Sequence, residues 1–421
     1  MSPVRHRALT VVAPIAPGKE LAVDAWLRDA KRELQRALKT SATTHFARWV
    51  VLPPSLGEDG QLLGDGHQLA FESNFDGELS DHVAELRTCL GPMLDDAFRH
   101  VRGYPGSDDL QVLVGFFRAS SLRTAAYYVA HGGLSVPVIR GDAALRRAVE
   151  ARLGELSRGS RVQSTGSLEL ARDLQRVARS RAAQDGLTLG HVERGLDLRP
   201  PSVWARALSR PLSVLAAFLL APLFELRDEW IRKRQPRWDT PALRAQRDLI
   251  GREEDRVDQN GLTHLVAIKP GWYRAFALRV MVYLVTALAD AGALTGRLGG
   301  IQTIHFARWV AMPDGRLLFF SNYDGSWEAY LGEFIDKAAV GLTMIWTHTV
   351  WYPKTRWLLL QGAKDEAAFK AWTRAHQVPT QVWYSAYPGL SVGEVLKNAE
   401  IRELLGAELS APTAERLLQL L

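Results

Sequence analysis

Histidine, arginine, asparagine and aspartate recur together at two places in the chain, and these residue types can move protons and stabilise charge. His45 and Arg48 lie in THFARWVVLPP, and His305 and Arg308 lie in IHFARWVAMP. Each stretch leads to a motif of serine, asparagine, an aromatic residue, aspartate and glycine, which contributes Asn74 and Asp76 in the first copy and Asn322 and Asp324 in the second.

These types suggest an acid–base site in the second copy. An aspartate can shuttle a proton, and a nearby arginine can stabilise developing negative charge. We therefore expect Asp324 and Arg308 to be catalytic, with His305 and Asn322 beside them. His45, Arg48, Asn74 and Asp76 are their equivalents in the first copy.

A purely structural role explains the same residues. A buried arginine needs an anionic partner, so an Arg–Asp clamp would hold each hairpin to the helix that follows it. Asparagine and aspartate also favour turns and helix N-caps, and Gly77 and Gly325 permit positive φ. Because residues three apart on a strand point to opposite faces, we expect the histidine and arginine of each copy to separate, one facing inward and one lying under the helices.

The repeated motifs sit in two segments with the same order of predicted elements. Each segment gives strand, helix, strand, strand, helix and a closing strand, which is the split βαβ or ferredoxin-like unit. In the second copy Asp314-Gly315 marks the hairpin. The first copy has a longer connection there, SLGEDGQLLGDG. We expect an α+β fold of two ferredoxin-like repeats whose antiparallel sheets pack face to face, with a helical insert.

This layout resembles the dimeric α+β barrel superfamily in a fused, two-repeat form. Dye-decolourising peroxidases and chlorite dismutases belong to that superfamily, and the resemblance covers roughly residues 5–140 and 260–400. A bacterial group of peroxidase-associated proteins with HFARWV and SNYDG motifs is also similar. The resemblance implies a peroxidase-like or monooxygenase-like oxidoreductase that acts on a small apolar or aromatic substrate.

The resemblance also implies haem as a cofactor. Dye-decolourising peroxidases place a distal aspartate over haem with a Gly-x-x-Asp-Gly motif, which SNYDG matches only in its last two residues. Asn322 stands near its start, where Ser321 takes the place of the first glycine. The family needs a proximal histidine, for which His348 and His376 are candidates.

The chain between the two copies predicts a different kind of structure. We divide the protein into a first repeat at 1–140, a helical insert at 141–258, and a second repeat with C-terminal helices at 259–421. Within segment 204–238 an apolar core, Leu212 to Phe224, is too short to span a bilayer. Its flanks carry basic and tryptophan residues, namely Trp204, Arg206, Arg210, Trp230, Arg232, Lys233, Arg234, Arg237 and Trp238.

Such a segment suits a helix lying on an anionic membrane surface, or a helical hairpin buried against the barrel. Pro211 and Pro222 should bend or end it. The alternative function is therefore a non-catalytic, membrane-peripheral protein that binds a lipid or another hydrophobic ligand. The tryptophans of the second copy would line the cavity for that ligand, or simply fill the core.

Charge, cysteine content and missing motifs argue against several other classes of protein. The net charge of +6 is small for 421 residues, so nucleic-acid binding is not expected. One cysteine, Cys89, and an N-terminus without a signal-peptide pattern suit the cytoplasm, with peripheral contact at the inner membrane face. The chain has no phosphate-loop, GxGxxG, CxxC, HExxH or GxSxG motif. Its residue pattern indicates neither a metal nor an oligomeric state.

Overall fold

The computed structural model describes residues 4–158, 166–192, 211–232, 245, 248, 250, 251, 254, 258–293 and 300–421. Its strands are β1 His6–Pro14, β2 Thr44–Leu52, β3 Ser55–Leu56, β4 Leu62–Leu63, β5 Gln68–Asp76, β6 Ala126–Val129, β7 Gln259–Ala267, β8 Ile304–Ala311, β9 Arg316–Asp324, β10 Thr355–Arg356, β11 Leu360–Gln361 and β12 Val382–Ser385.

The helices lie between and after these strands. They are α1 Glu20–Leu38, α2 Leu79–Leu90, α3 Pro92–Phe98, α4 Leu110–Ala119, α5 Val136–Arg158, α6 Ser167–Asp185, α7 Pro211–Arg232, α8 Trp272–Ala293, α9 Trp327–Trp346, α10 Glu366–His376, α11 Val392–Gly406 and α12 Ala411–Leu420. The protein is thus a mixed α and β structure with antiparallel sheets.

Two four-stranded antiparallel sheets exchange their closing strands. One has the order β1-β5-β2-β12 and the other the order β6-β8-β9-β7. β12, from the end of the chain, pairs with β2 near its beginning, with Val382 opposite Trp49. β6 pairs with β8 in the same way, with Ala126 opposite Trp309. Each half of the chain therefore completes the sheet of the other half.

Apolar residues from both sheets meet in one buried cluster. Val50 and Ala70 of the first sheet pack in it with Val310, Leu318 and Phe320 of the second. All nine residues of β2 are buried, as expected for a strand covered on both faces. The two sheets therefore face each other, which agrees with the face-to-face packing predicted from the sequence.

The described parts of the central segment are mainly helical, and its first helices pack with the C-terminal helices. The boundary predicted at residue 140 falls inside α5, which begins at Val136. α5 and α6 form a core with α11 and α12 through residues such as Leu145, Leu174 and Leu417. α7 begins at Pro211 and continues through Pro222, so of the two effects expected of Pro222, a bend or an end, it does not end the helix.

Candidate functional site

A β-bulge sets the position of the histidine in each HFARWV strand. In the β2–β5 pairing the register shifts between Thr44 and Phe46, so His45 has no partner across the ladder. The same shift between Ile304 and Phe306 leaves His305 unpaired. A bulge interrupts the simple alternation of faces. The predicted separation of histidine and arginine is therefore wrong: both types reach residues from the opposite half.

The two arginines cross between the sheets in equivalent ways. Arg48 is fully buried and donates to the carbonyls of Leu262 and Ser321 at 2.8 and 2.9 Å. It also donates to Asn322 Oδ1 at 2.5 Å. Arg308, 1% exposed, makes the matching bonds to the first half. Its acceptors are the carbonyls of Leu9 and Ser73, Thr10 Oγ1 and Asn74 Oδ1.

One carboxylate serves both arginines. Glu72 accepts from Arg48 Nε at 2.8 Å and from Arg308 Nη2 at 2.5 Å. Its side chain is 1% exposed. The residue opposite Arg308 in β9 is Phe320 instead of a second acid, so two buried cations share one anion. Removing a partner from such a buried group is costly, and the arrangement fastens the two halves together.

Asp76 and Asp324 pair with the histidines, not with the arginines as the sequence suggested. His45 Nε2 lies 2.8 Å from Asp76 Oδ1, and His305 Nε2 lies 2.8 Å from Asp324 Oδ1. The second oxygen of each aspartate accepts a backbone N–H at a helix start. The donors are Val136 N of α5, at 3.1 Å, and Val392 N of α11, at 2.7 Å.

The expected cap role of the SNYDG motif thus needs correction. Asp324 binds the start of α11, while the helix directly after the motif, α9, is capped by Ser326. Asn74 and Asn322 accept hydrogen bonds from arginines. Two parts of the prediction are confirmed: β5 and β9 end at Asp76 and Asp324, and Gly77 and Gly325 have φ of 91° and 78°.

A chain of buried polar rings joins the two His–Asp pairs. Tyr387 Oη lies 2.9 Å from His45 Nδ1 and 3.3 Å from His131 Nε2. His131 Nε2 lies 3.5 Å from His305 Nδ1. The chain therefore runs from Asp76 through His45, Tyr387, His131 and His305 to Asp324.

Burial favours the neutral forms of His45, His131 and Tyr387 in this chain. Loss of solvation lowers the pKa of His45, despite the attraction of Asp76. Burial lowers the pKa of His131 well below its usual value, and the neighbouring histidines add to the effect. Burial also raises the pKa of Tyr387. For Asp76, burial alone would raise the pKa, but its contacts with His45 and His6 outweigh that and lower it. His131 contacts both Tyr387 and His305 through Nε2, so the chain is not a continuous proton path, and its charged end is the Asp76 carboxylate.

His6 completes a group of three potential metal ligands that the sequence analysis missed. The donor atoms of His6, His45 and Asp76 all lie within 4.8 Å of one another. The other ring nitrogen of His6, however, accepts the N–H of Gly133 at 2.9 Å. A neutral histidine carries its proton on the nitrogen that does not accept. His6 Nδ1 is therefore protonated toward Asp76, which does not fit a metal ligand.

The residues predicted to hold haem do not fit that group. His348 is fully buried, and its Nδ1 lies 3.4 Å from the cationic Arg274. Burial, and then the charges of Arg274 and Lys269, lower its pKa well below the usual value. His376 Nδ1 bonds to the Trp372 carbonyl at 2.8 Å. Neither histidine lines the groove between α1 and the sheets or the groove beside α7, whose volumes are about 580 and 530 Å³.

Most tryptophans of the second copy fill space instead of enclosing it. Trp346 and Trp372 pack around His264, with ring centroids 4.8 and 4.7 Å from it. The cavity beside them measures about 20 Å³. These aromatics therefore form a dense core, while Trp351, Trp357 and Trp383 line surface grooves.

The described face of α7 carries an exposed apolar stripe. Its members, Leu215, Leu219, Leu223, Leu226 and Trp230, are between 54% and 71% exposed and recur at spacings of three and four. The opposite face packs on α8, where Ala217 and Ala221 meet Tyr273, Ala277 and Met281. None of the helices in the described ranges is long and apolar enough to cross a bilayer.

Comparison with models of known protein families and with curated proteins gave no match to this chain.

Proposed function

We propose that this protein is a peripheral membrane protein that lays the outer face of α7 on an anionic bilayer. The observation that carries the proposal is the stripe from Leu215 to Trp230. Isolated exposed leucines are ordinary on a protein surface, but five on one helix face form a patch. Apolar area of this kind is stabilised when it leaves water.

The charges of α7 favour a bilayer over another copy of the chain. Its acids turn toward the protein: Glu225 accepts the N–H groups of Trp357 and Leu358 at 2.9 Å, and Asp228 binds Lys269 and Arg274. The sequence on both sides of the helix is basic. A second copy would bring like charges together, whereas acidic lipids attract them.

The buried contacts of Arg308 and Asp324 weigh against a catalytic role for these two residues. Arg308 Nη1 and Nη2 donate to acceptors on β1 and β5, and the two oxygens of Asp324 bond to His305 and to Val392 N. Oxidoreductase chemistry and haem thus remain predictions from the resemblance, with no site geometry in their favour.

We also infer that the two halves are copies of one ferredoxin-like unit that exchange closing strands. The matched contacts of Arg48 and Arg308 support this, as do the matched bulges of β2 and β8. Such a frame would hold α7 at the surface while taking no direct part in membrane contact.

Vesicle sedimentation tests the function. We expect the protein to bind vesicles of phosphatidylglycerol and phosphatidylcholine, and to bind pure phosphatidylcholine much more weakly. The double substitution Leu219→Glu, Leu226→Glu should lower partitioning at least about tenfold, since it removes two apolar contacts and adds repulsion.

A matched control separates the stripe from general apolarity. Leu21 on α1 and Val112 on α4 are 80% and 51% exposed, so Leu21→Glu, Val112→Glu adds the same charge elsewhere and should bind like the parent. Equal binding by the stripe variant would refute the proposal. So would a dimer in light scattering that this variant dissociates.

A further inference from the structure

A second feature, away from α7, is a groove between α1 and the exposed edges of the two sheets. Its volume is about 580 Å³. It runs between the side of α1, the first residues of β7 and strand β12. Its lining includes Lys31, Arg32, Gln35, Arg36, Lys39, Gly261 and Trp383.

One wall of the groove is strongly cationic. Lys31, Arg32, Arg36 and Lys39 line it, and within the described ranges none of them has an ion-pair partner. The acid that lines it, Glu254, is held by Arg374 at 2.5 Å. Unopposed cations around a concave surface attract and concentrate anions.

The fold does not require these cations. Aligning Pro17-Gly18 with Pro270-Gly271, the corresponding starts of α1 and α8, gives the equivalents in the second half. They are Leu284, Val285, Ala289 and Gly292. α1 packs on β12 as α8 packs on β6, so the second half keeps the same packing without a basic stripe.

The other wall of the groove is formed by the indole of Trp383, which neighbouring residues hold in place. A methyl group built on Gly261 would lie 2.6 Å from Trp383 Cδ1, so the absence of a side chain at Gly261 makes room for the ring. Trp383 Nε1 donates to Asn322 Oδ1 at 2.9 Å, and its carbonyl accepts from Gln35 Nε2 at 2.6 Å. In the first half Ala8 stands opposite Asn74, where Gly261 stands opposite Asn322.

We propose that this groove binds an organic anion. The carboxylate or phosphate group lies against the cations of α1, and the flat or apolar body lies against Trp383. Charge-assisted hydrogen bonds from lysine and arginine supply the recognition. No residue of α7 lines the groove, so this site does not depend on the proposed membrane contact.

The probe is 8-anilinonaphthalene-1-sulfonate, compared with the uncharged N-phenyl-1-naphthylamine. Both are measured by fluorescence titration of the full chain carrying Leu219→Glu and Leu226→Glu, which weakens probe binding at the α7 stripe. We expect the anionic probe to bind, and the added substitutions Arg32→Ala, Arg36→Ala to weaken it at least about tenfold.

The control removes the same charge elsewhere. Arg172 and Arg179 are exposed on α6, and Arg172→Ala, Arg179→Ala should leave the affinity unchanged. Equal loss in both variants, or no loss in the groove variant, would overturn the proposal. Equally tight binding of the uncharged probe by the parent would overturn it as well.

Displacement then identifies the source of the anion. Laurate represents a fatty acid or lipid, and phenyl phosphate represents a small phosphorylated aromatic compound. Displacement of the probe by either supports the site and names its class. If neither competes, the groove is not an organic-anion site.

Discussion

Arg308 and Glu72 form an ion pair at 2.5 Å that crosses from one sheet to the other. The same carboxylate holds Arg48 at 2.8 Å. Glu72→Gln should therefore lower the free energy of unfolding by about 3–5 kcal/mol, because two buried guanidinium groups lose their common anion. Urea denaturation followed by circular dichroism measures the change.

Glu78→Gln is the matched control for that variant. Glu78 pairs with Arg7, but both side chains are substantially exposed, at 55% and 39%. An exposed pair contributes roughly 0–1 kcal/mol, so the control should stay close to the parent. A small effect of Glu72→Gln would mean that the backbone carbonyls and the two asparagines are enough to hold the arginines.

Acid should destabilise the protein through buried histidines, and His82 allows a direct test. His82 is fully buried and stacks on Phe75 at 4.0 Å, and burial lowers its pKa to about 3. The unfolded chain takes up this proton near pH 6.5, whereas the folded chain resists it until about pH 3. Stability therefore falls as the pH drops through that window.

The free energy of unfolding, measured at pH 7.5 and at pH 5, isolates the contribution of His82. Over this interval His82→Gln should lose about 2 kcal/mol less stability than the parent, because its unfolded chain no longer takes up a proton at this position. His191→Gln is the control, because that side chain is 70% exposed. An unchanged pH dependence in His82→Gln would show that His82 is charged in the folded protein.

Gly261→Ala should disturb the indole that lies over this glycine. The new methyl group would approach Trp383 Cδ1 to 2.6 Å, and overpacking of this kind costs about 1–3 kcal/mol. Near-ultraviolet circular dichroism should report a moved tryptophan. Gly115→Ala on α4 meets nothing within 4 Å and should instead stabilise by about 0.4–1 kcal/mol. Equal effects would contradict the proposed contact.

Glu225 should protect the β10–β11 hairpin from proteolysis. Trp357 and Leu358 adopt positive φ there, at 58° and 59°, which is unfavourable for residues other than glycine. The Glu225 carboxylate binds both of their N–H groups. Glu225→Ala should raise trypsin cleavage after Arg356 at least about tenfold, as the strained turn opens more often.

Mass spectrometry of the trypsin fragments measures the cleavage rate. Glu328→Ala removes an acid that pairs with Lys370 far from this turn, and its cleavage at Arg356 should match the parent. Unaltered cleavage in Glu225→Ala would mean that the hairpin keeps its conformation without the carboxylate.

Local patterns were enough to predict most elements of the sheets. The HFARWV and SNYDG segments are strands, and Gly315 takes positive φ at the hairpin turn, although Asp314 does not. Strand exchange was not predictable in this way, because β6 and β12 have the same alternation whichever sheet receives them. Pairing across the chain depends on tertiary packing, which local periodicity does not encode.

The sequence predicted which residue types meet at the site, but not which residues pair with each other. The histidines, arginines and aspartates do gather between the halves, yet the bulges at His45 and His305 exchange the expected partners. Glu72 was missed although it is a lone acid in an apolar strand, LAFESN, which is a signal for a buried ion pair. His6 gave no such signal, since a histidine at a strand start is ordinary.

The exchange of β6 and β12 has a consequence for the integrity of the polypeptide. Since each half supplies an edge strand to its neighbour, cutting the backbone between α6 and α7 would leave two fragments that still share both ladders. Neither fragment could close its own ladder alone. The two halves therefore depend on each other as the subunits of an obligate heterodimer do. We expect separately expressed fragments to fold when they are mixed and not when each is alone.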